Sequence, residues 1–96
     1  MKIIADAMAG TLESSDLLVK VSPSNQLEVV IQSNVIKQFG AQIRKVVDET
    51  LQKMGVTQGL VIIDDKGALD CAIRARVQCA VLRGAQQEEL DWSVIQ

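Results

Sequence analysis

The chain has 96 residues, 48% of them hydrophobic, enough for one packed core and too few for two. With 12 acidic against 10 basic residues, a net charge of -2 and only Phe39 and Trp92 as aromatics, it lacks the positive field and the stacking surface of a nucleic-acid binder. No apolar run approaches the roughly 20 residues that cross a bilayer, and Met1-Lys2 leads into no apolar signal segment, so a soluble, cytoplasmic protein without a membrane partner is expected.

Residues 8–12 read as a short strand that folds back through Glu13-Ser14-Ser15-Asp16. Leu17, Val19 and Val21 then alternate with Leu18 and Lys20, and Leu27, Val29 and Ile31 alternate with Glu28, Val30 and Gln32, two period-two patterns of half-buried strands. The turn formers Ser22-Pro23-Ser24-Asn25-Gln26 separate them, which predicts a three-stranded antiparallel meander.

From Asn34 the period changes. Ile36, Phe39, Ile43, Val46, Val47, Leu51 and Met54 recur every three or four residues, predicting an amphipathic helix capped by Ser33 or Asn34 and ended by Gly55 in the left-handed region. The apolar run Leu60-Val61-Ile62-Ile63 predicts an interior strand covered on more than one side. A second helix is expected over residues 68–83, burying Leu69, Ala72, Ile73, Val77, Ala80 and Val81, with Asp70 and Arg83 at the ends that suit their charges and Gly84 as its stop. Cys71 and Cys79 fall on it about 12 Å apart by helical rise, too far for a mutual disulfide, and read as reduced, buried packing residues.

A right-handed crossover through the first helix would return the chain to the same sheet. The expected fold is α+β: a two-layer α/β sandwich in the order ββ(β)αβα, with a mixed four-stranded sheet and two helices on one face. Residues 1–84 form the single domain, and 85–96 a tail in which Leu90, Trp92, Val94 and Ile95 show no clear period.

Three features compete for function. The Glu13-Ser14-Ser15-Asp16 tip displays two hydroxyls in a chain without histidine or tyrosine, and with only carboxylates beside them neither serine has a base to make it a nucleophile. Asp64-Asp65-Lys66-Gly67-Ala68-Leu69-Asp70-Cys71 is a strand-to-helix junction where a hard cation or a phosphate is conceivable; the Walker spacing is missing and the acidic pair repels phosphate, so a structural turn is the favoured reading. No metal site is expected, since two cysteines without CxxC spacing and no histidine leave too few ligands. Arg74, Arg76 and Arg83, with Arg44 and Lys45, form a basic set that either meets an acidic partner or solvates helix surfaces.

The segments Ala9-Gly10-Thr11-Leu12-Glu13-Ser14-Ser15-Asp16, Lys37-Gln38-Phe39-Gly40, Asp64-Asp65-Lys66-Gly67-Ala68-Leu69-Asp70-Cys71 and Arg74-Ala75-Arg76 together resemble the acyl carrier (gamma) subunit family of citrate lyase, in the same order and at similar spacing. The resemblance runs from the first strand to the second helix. It implies that Ser14, which follows Leu12-Glu13 of the family pattern, carries a covalent phosphoribosyl-dephospho-coenzyme A (phosphoribosyl-dephospho-CoA) through a phosphodiester, loaded by a prosthetic-group transferase. It also implies a non-catalytic carrier whose partners are the citrate lyase alpha (acyl transferase) and beta (citryl lyase) subunits, acetyl and citryl thioesters being carried while citrate is cleaved to acetate and oxaloacetate. The Asp-Ser-Leu motif of helical acyl carrier proteins is absent, and the strand periodicity excludes a four-helix carrier.

The residues agree with such a role. A hairpin tip is among the most accessible places on a chain, and a hydroxyl without a base will not hydrolyse its own cargo. Glu13 and Asp16 are expected to offer an acidic patch to basic partner surfaces. The carrier subunit of malonate decarboxylase is the alternative within this class, and an interaction or ligand-sensing domain is the alternative outside it.

Overall fold

The structure, a computed structural model, describes residues 1–33 and 36–86, with side chains 36–39 outside that description. Strands β1 (Ala7–Gly10), β2 (Leu17–Ser22) and β3 (Leu27–Ser33), helix α1 (Ile36–Met54), strand β4 (Gly59–Asp65) and helix α2 (Asp70–Gly84) follow in the order the periodicities predict. They build an α+β fold with one mixed sheet of four strands. Side-chain alternation shows which face the helices cover: Leu17, Val19 and Val21 of β2 and Val61 and Ile63 of β4 share one core with Ile43, Val46, Val47 and Leu51 of α1 and Ile73, Val77 and Val81 of α2. Lys20 on the opposite face is exposed.

The connectivity departs from the expected meander. The order is β1-β2-β4-β3, so β4 lies between the two strands predicted to form a hairpin. It pairs antiparallel with β2, from Leu17 opposite Asp65 to Ser22 opposite Leu60, and parallel with β3, from Leu27 opposite Gly59 to Ser33 opposite Asp65. Residues 23–26 therefore bridge a gap of about 10 Å, two interstrand spacings, and the Gly59 amide fills it by donating to the Gln26 carbonyl at 3.2 Å. The inner slot gives the apolar run of β4 two ladders instead of an exposed edge. Its central place is as predicted, while only one face is covered: Val61 and Ile63 are buried, and Leu60 and Ile62 half-buried.

Helix α1 buries Ile43, Val46, Val47, Leu51 and Met54 as expected and ends at Gly55, whose φ of 71° is the left-handed stop. In α2, Ile73, Val77, Ala80 and Val81 are buried as predicted, but Leu69 precedes the helix in extended conformation and is 73% exposed. The reason is Asp65, whose carboxylate accepts from the Gly67 and Ala68 amides and delays the first helical turn to Asp70. Gly84 is the last helical residue and not a left-handed stop. A Cβ there would lie 2.6 Å from Val21 Cγ2 and 3.2 Å from the Ala5 carbonyl oxygen, so glycine is required by packing, and the left-handed turn falls on Gln86 at φ 57°.

The first residues, for which no element was expected, are part of the fold. Ile3 is buried, its amide donates to the Gln58 carbonyl, and the Ile4 and Ala5 amides both donate to the Gly84 carbonyl. Both cysteines are free, but Cys71 is exposed and Cys79 half-buried, so Cys71 is no core residue. The candidate cap Asn34, the side chains of Ile36 and Phe39, and Leu90, Trp92, Val94 and Ile95 lie outside the described residues. Among those described, no helix is long and apolar enough to cross a membrane.

Candidate functional site

The chain leaves the sheet at Gly10 and re-enters it at Leu17, and a bond from the Thr11 amide to the Leu17 carbonyl closes the loop base at 3.1 Å. Gly10 sits at φ 101°, and a Cβ there would strike the Leu17 carbonyl oxygen and come within 3.3 Å of Arg76 Cδ. Only glycine allows the two strands to part this abruptly. At the tip the Asp16 amide donates to the Glu13 carbonyl at 3.2 Å, which closes a β-turn with Ser14 and Ser15 at its centre.

Ser15 adopts φ 64°, a left-handed conformation that costs a residue with a side chain about 1–2 kcal/mol. It is held there: its amide donates to the Lys66 carbonyl at 2.9 Å, and the Lys66 amide donates to the Asp16 carbonyl at 2.9 Å. These two bonds carry the pairing of β2 and β4 beyond its Leu17–Asp65 end. The serine turn and the Asp64-Asp65-Lys66-Gly67 junction, separate features in the sequence, thus form one structure.

Asp16 is the brace of that structure. Its Oδ2 accepts from the Thr11 hydroxyl at 2.7 Å and from Arg76 Nη2 at 2.9 Å, and its Oδ1 accepts from the Leu17 amide at 2.8 Å and from Arg76 Nε at 3.2 Å. The Thr11 hydroxyl also accepts from the Glu13 amide at 3.2 Å. The Thr11 hydroxyl first, then Arg76 and the Leu17 amide, hold the Asp16 carboxyl down to a pKa of about 2. The expected acidic patch is accordingly corrected: Glu13 is exposed, whereas Asp16 is half-buried and its charge is already met by Arg76.

Asp65, fully buried, settles the second feature in favour of its structural reading. Its oxygens accept from the Ser33 hydroxyl at 2.8 Å and from the Gly67 and Ala68 amides at 3.1 and 3.0 Å, joining the ends of β3 and β4 to the start of α2. Asp64 pairs with Lys66 at 3.4 Å. No cluster of three metal-ligating side chains occurs among the described residues. A cleft of about 670 Å³ beside this junction is lined mainly by Ile43, Ala68, Leu69 and Ile73, and its polar groups Asp65 and Asp70 already have partners, Asp70 accepting from Gln42 at 3.0 Å.

The basic set does not form a patch. Arg76 serves Asp16, Arg83 donates to the Met8 carbonyl at 2.7 Å, and Arg44 pairs with Asp48 at 3.2 Å and reaches the Val29 carbonyl. Arg74 and Lys45 are exposed on different helices. The signal that pattern reading missed is Arg76, which lies 60 residues from Asp16 and has nothing in its local spacing to mark it as the partner of a turn.

Ser14 is exposed at the centre of the turn, and no described side chain bonds its hydroxyl. The one ammonium on the adjoining turn, Lys66, is already ion-paired. Among the described residues the arrangement presents a hydroxyl on a fixed backbone with no base hydrogen-bonded to it.

A model of an acyl carrier protein family, described as malonate decarboxylase delta subunit (MdcD), matches residues 4–84. The chain thus belongs to an acyl carrier class. The citrate lyase acyl carrier protein of Enterobacter sp. (strain 638) is 63% identical over 94 residues, 97% of each chain. That of Pectobacterium atrosepticum is 60% identical over 93 residues, covering 96% of this chain and 97% of the relative, and that of Albidiferax ferrireducens is 59% identical over the whole of both. The chain belongs to the citrate lyase acyl carrier protein family.

Proposed function

We propose that this chain is the carrier subunit of a cytoplasmic citrate lyase and that Ser14 is the residue that carries its prosthetic group, a phosphoribosyl-dephospho-coenzyme A joined through a phosphodiester. The observation that carries this reading is the unengaged Ser14 hydroxyl at the tip of a turn whose backbone is pinned on both sides. When bound, the group supplies a terminal thiol for acetyl and citryl thioesters, which the alpha and beta subunits of the complex exchange and cleave. This chain contributes position and reach. The tip is open to a transferase, and a flexible arm rooted there serves two partner sites at an effective concentration in the millimolar range.

The residues fit the group. Attachment requires an exposed oxygen with room around it, and the turn offers Ser14 and Ser15 in that condition. Ser14 is the proposed acceptor because it directly follows the Leu12-Glu13 pair of the family pattern. Full-length likeness to citrate lyase carriers favours citrate over the malonate decarboxylase reading that the family model's description suggests.

Intact-mass measurement and peptide mapping of the chain purified from its native host test the proposal. The mass of one phosphoribosyl-dephospho-coenzyme A should map to Ser14, persist in Ser15→Ala and vanish in Ser14→Ala with the melting temperature unchanged. A native chain that is unmodified, or modified at another residue, would overturn it.

A further inference from the structure

We propose that Arg76 is a positioning residue for the loading of Ser14: delivered from α2, its guanidinium fixes the turn in the shape that the loading transferase engages. This rests on Ser14 being the attachment residue. The strands part at Gly10, the Thr11 amide reaches the Leu17 carbonyl, and the Asp16 amide reaches the Glu13 carbonyl. Backbone bonds therefore suffice to make a loop. The connection between β2 and β3 shows the same economy, with the Gly59-to-Gln26 backbone bond at its end and no ion pair.

What the serine turn has in addition is a two-pronged contact. Arg76 Nε meets Asp16 Oδ1 at 3.2 Å and Nη2 meets Oδ2 at 2.9 Å, while Thr11 and the Leu17 amide take the remaining positions on the same two oxygens. A lysine would supply a point charge; the planar fork fixes the orientation of the carboxylate as well. Asp16 is the last residue of the turn, so a carboxylate held at both oxygens restrains the end of the turn that follows Ser14 and Ser15. The Arg76 side chain is 42% exposed, so the pair contributes little as a surface ion pair and much as a constraint. Ser15 in the left-handed region is the further sign of a shape imposed by its surroundings.

A turn already in its bound shape needs no ordering when an enzyme docks on it, so loosening it should weaken docking and leave chemistry alone. The test is steady-state loading of the folded chain by the purified host transferase with its activated prosthetic-group precursor. Wild type is compared with Arg76→Gln, Arg76→Lys and Asp16→Asn. Expected are a KM for the carrier raised roughly tenfold in Arg76→Gln and Asp16→Asn with kcat within about twofold, and partial rescue in Arg76→Lys. Amide exchange at Ser15 and Asp16, the two bonded amides of the turn, should quicken in the same two variants while exchange in β2 and β4 stays as in wild type.

Unchanged KM in both variants, alongside normal loading of wild type on Ser14, would overturn the role of Arg76 and leave the attachment site standing. So would a KM change matched by global loss of protection, because that marks a structural residue only. Failure of the wild type to load on Ser14 would remove both proposals together.

Discussion

Two connections in this molecule are rich in serine and polar turn formers, and they behave differently. Residues 11–16 join β1 to β2, and residues 23–26 join β2 to β3 across the end of β4. The first is fixed by a remote side chain, the Arg76 guanidinium of α2, together with the Lys66 backbone; the second has one remote backbone bond, the Gly59 amide on Gln26, and a local Gln26–Glu28 side-chain contact of 3.1 Å. The composition of a turn says that the chain reverses there. Whether the turn is a platform depends on what reaches it from elsewhere.

The sharpest way to break this contrast is at the loop base. Gly10→Val should cost about 2–4 kcal/mol, since the new side chain must enter a left-handed conformation and displace the Leu17 carbonyl. A thermal melt should then fall by at least about 8 °C.

Asp16→Asn should cost less, about 1–2 kcal/mol, by weakening the charge-assisted bonds from Thr11, Arg76 and the Leu17 amide together while keeping the shape of the side chain. Its pH dependence has a definite sign. The carboxyl is held from 3.8 down to about 2 in the folded chain, so the stability that it adds is complete above pH 3.8 and is lost as pH falls through about 2. Melts of wild type and Asp16→Asn should differ by a constant amount between about pH 7 and 5 and converge between about pH 4 and 2. A gap that persists at about pH 2 would show that the variant acts through something other than ionisation.

The smallest effect belongs to the other connection. Ser24→Ala should change stability by less than about 0.5 kcal/mol and leave loading of Ser14 untouched, because no bond of the serine turn runs through it. A loading defect there would erase the distinction between the two loops.

How far these features were legible follows from the range of the forces involved. Strand and helix positions were readable because burial imposes a local period, as in Leu17-Val19-Val21 and Ile43-Val46-Val47. The slot taken by β4 was not, because period says which face a residue takes and nothing about which strand lies beside it. Leu69 was misplaced because Asp65 delays the start of α2, an effect of hydrogen bonding at the junction and not of hydrophobicity. Gly84 carries the sequence mark of a helix stop, yet its role is contact with Val21 and Ile3. Ser14 is a candidate through its family motif and the missing base beside it, and the structure adds only that it is exposed on a braced turn. Asp16 looked like a free surface charge because its partner lies on another element.

The order in which the chain emerges from the ribosome gives this wiring a consequence. Ser14 and Ser15 are made early, but the Lys66 backbone and the Arg76 guanidinium that shape their turn arrive after most of the chain has been translated. A nascent or truncated polypeptide ending before Lys66 carries the same hydroxyls without either anchor, and one ending before α2 carries them without the Arg76 fork. Completion of translation is therefore built into the shape of the tip, and an unfinished chain differs from a finished one at the very place where both carry their serines.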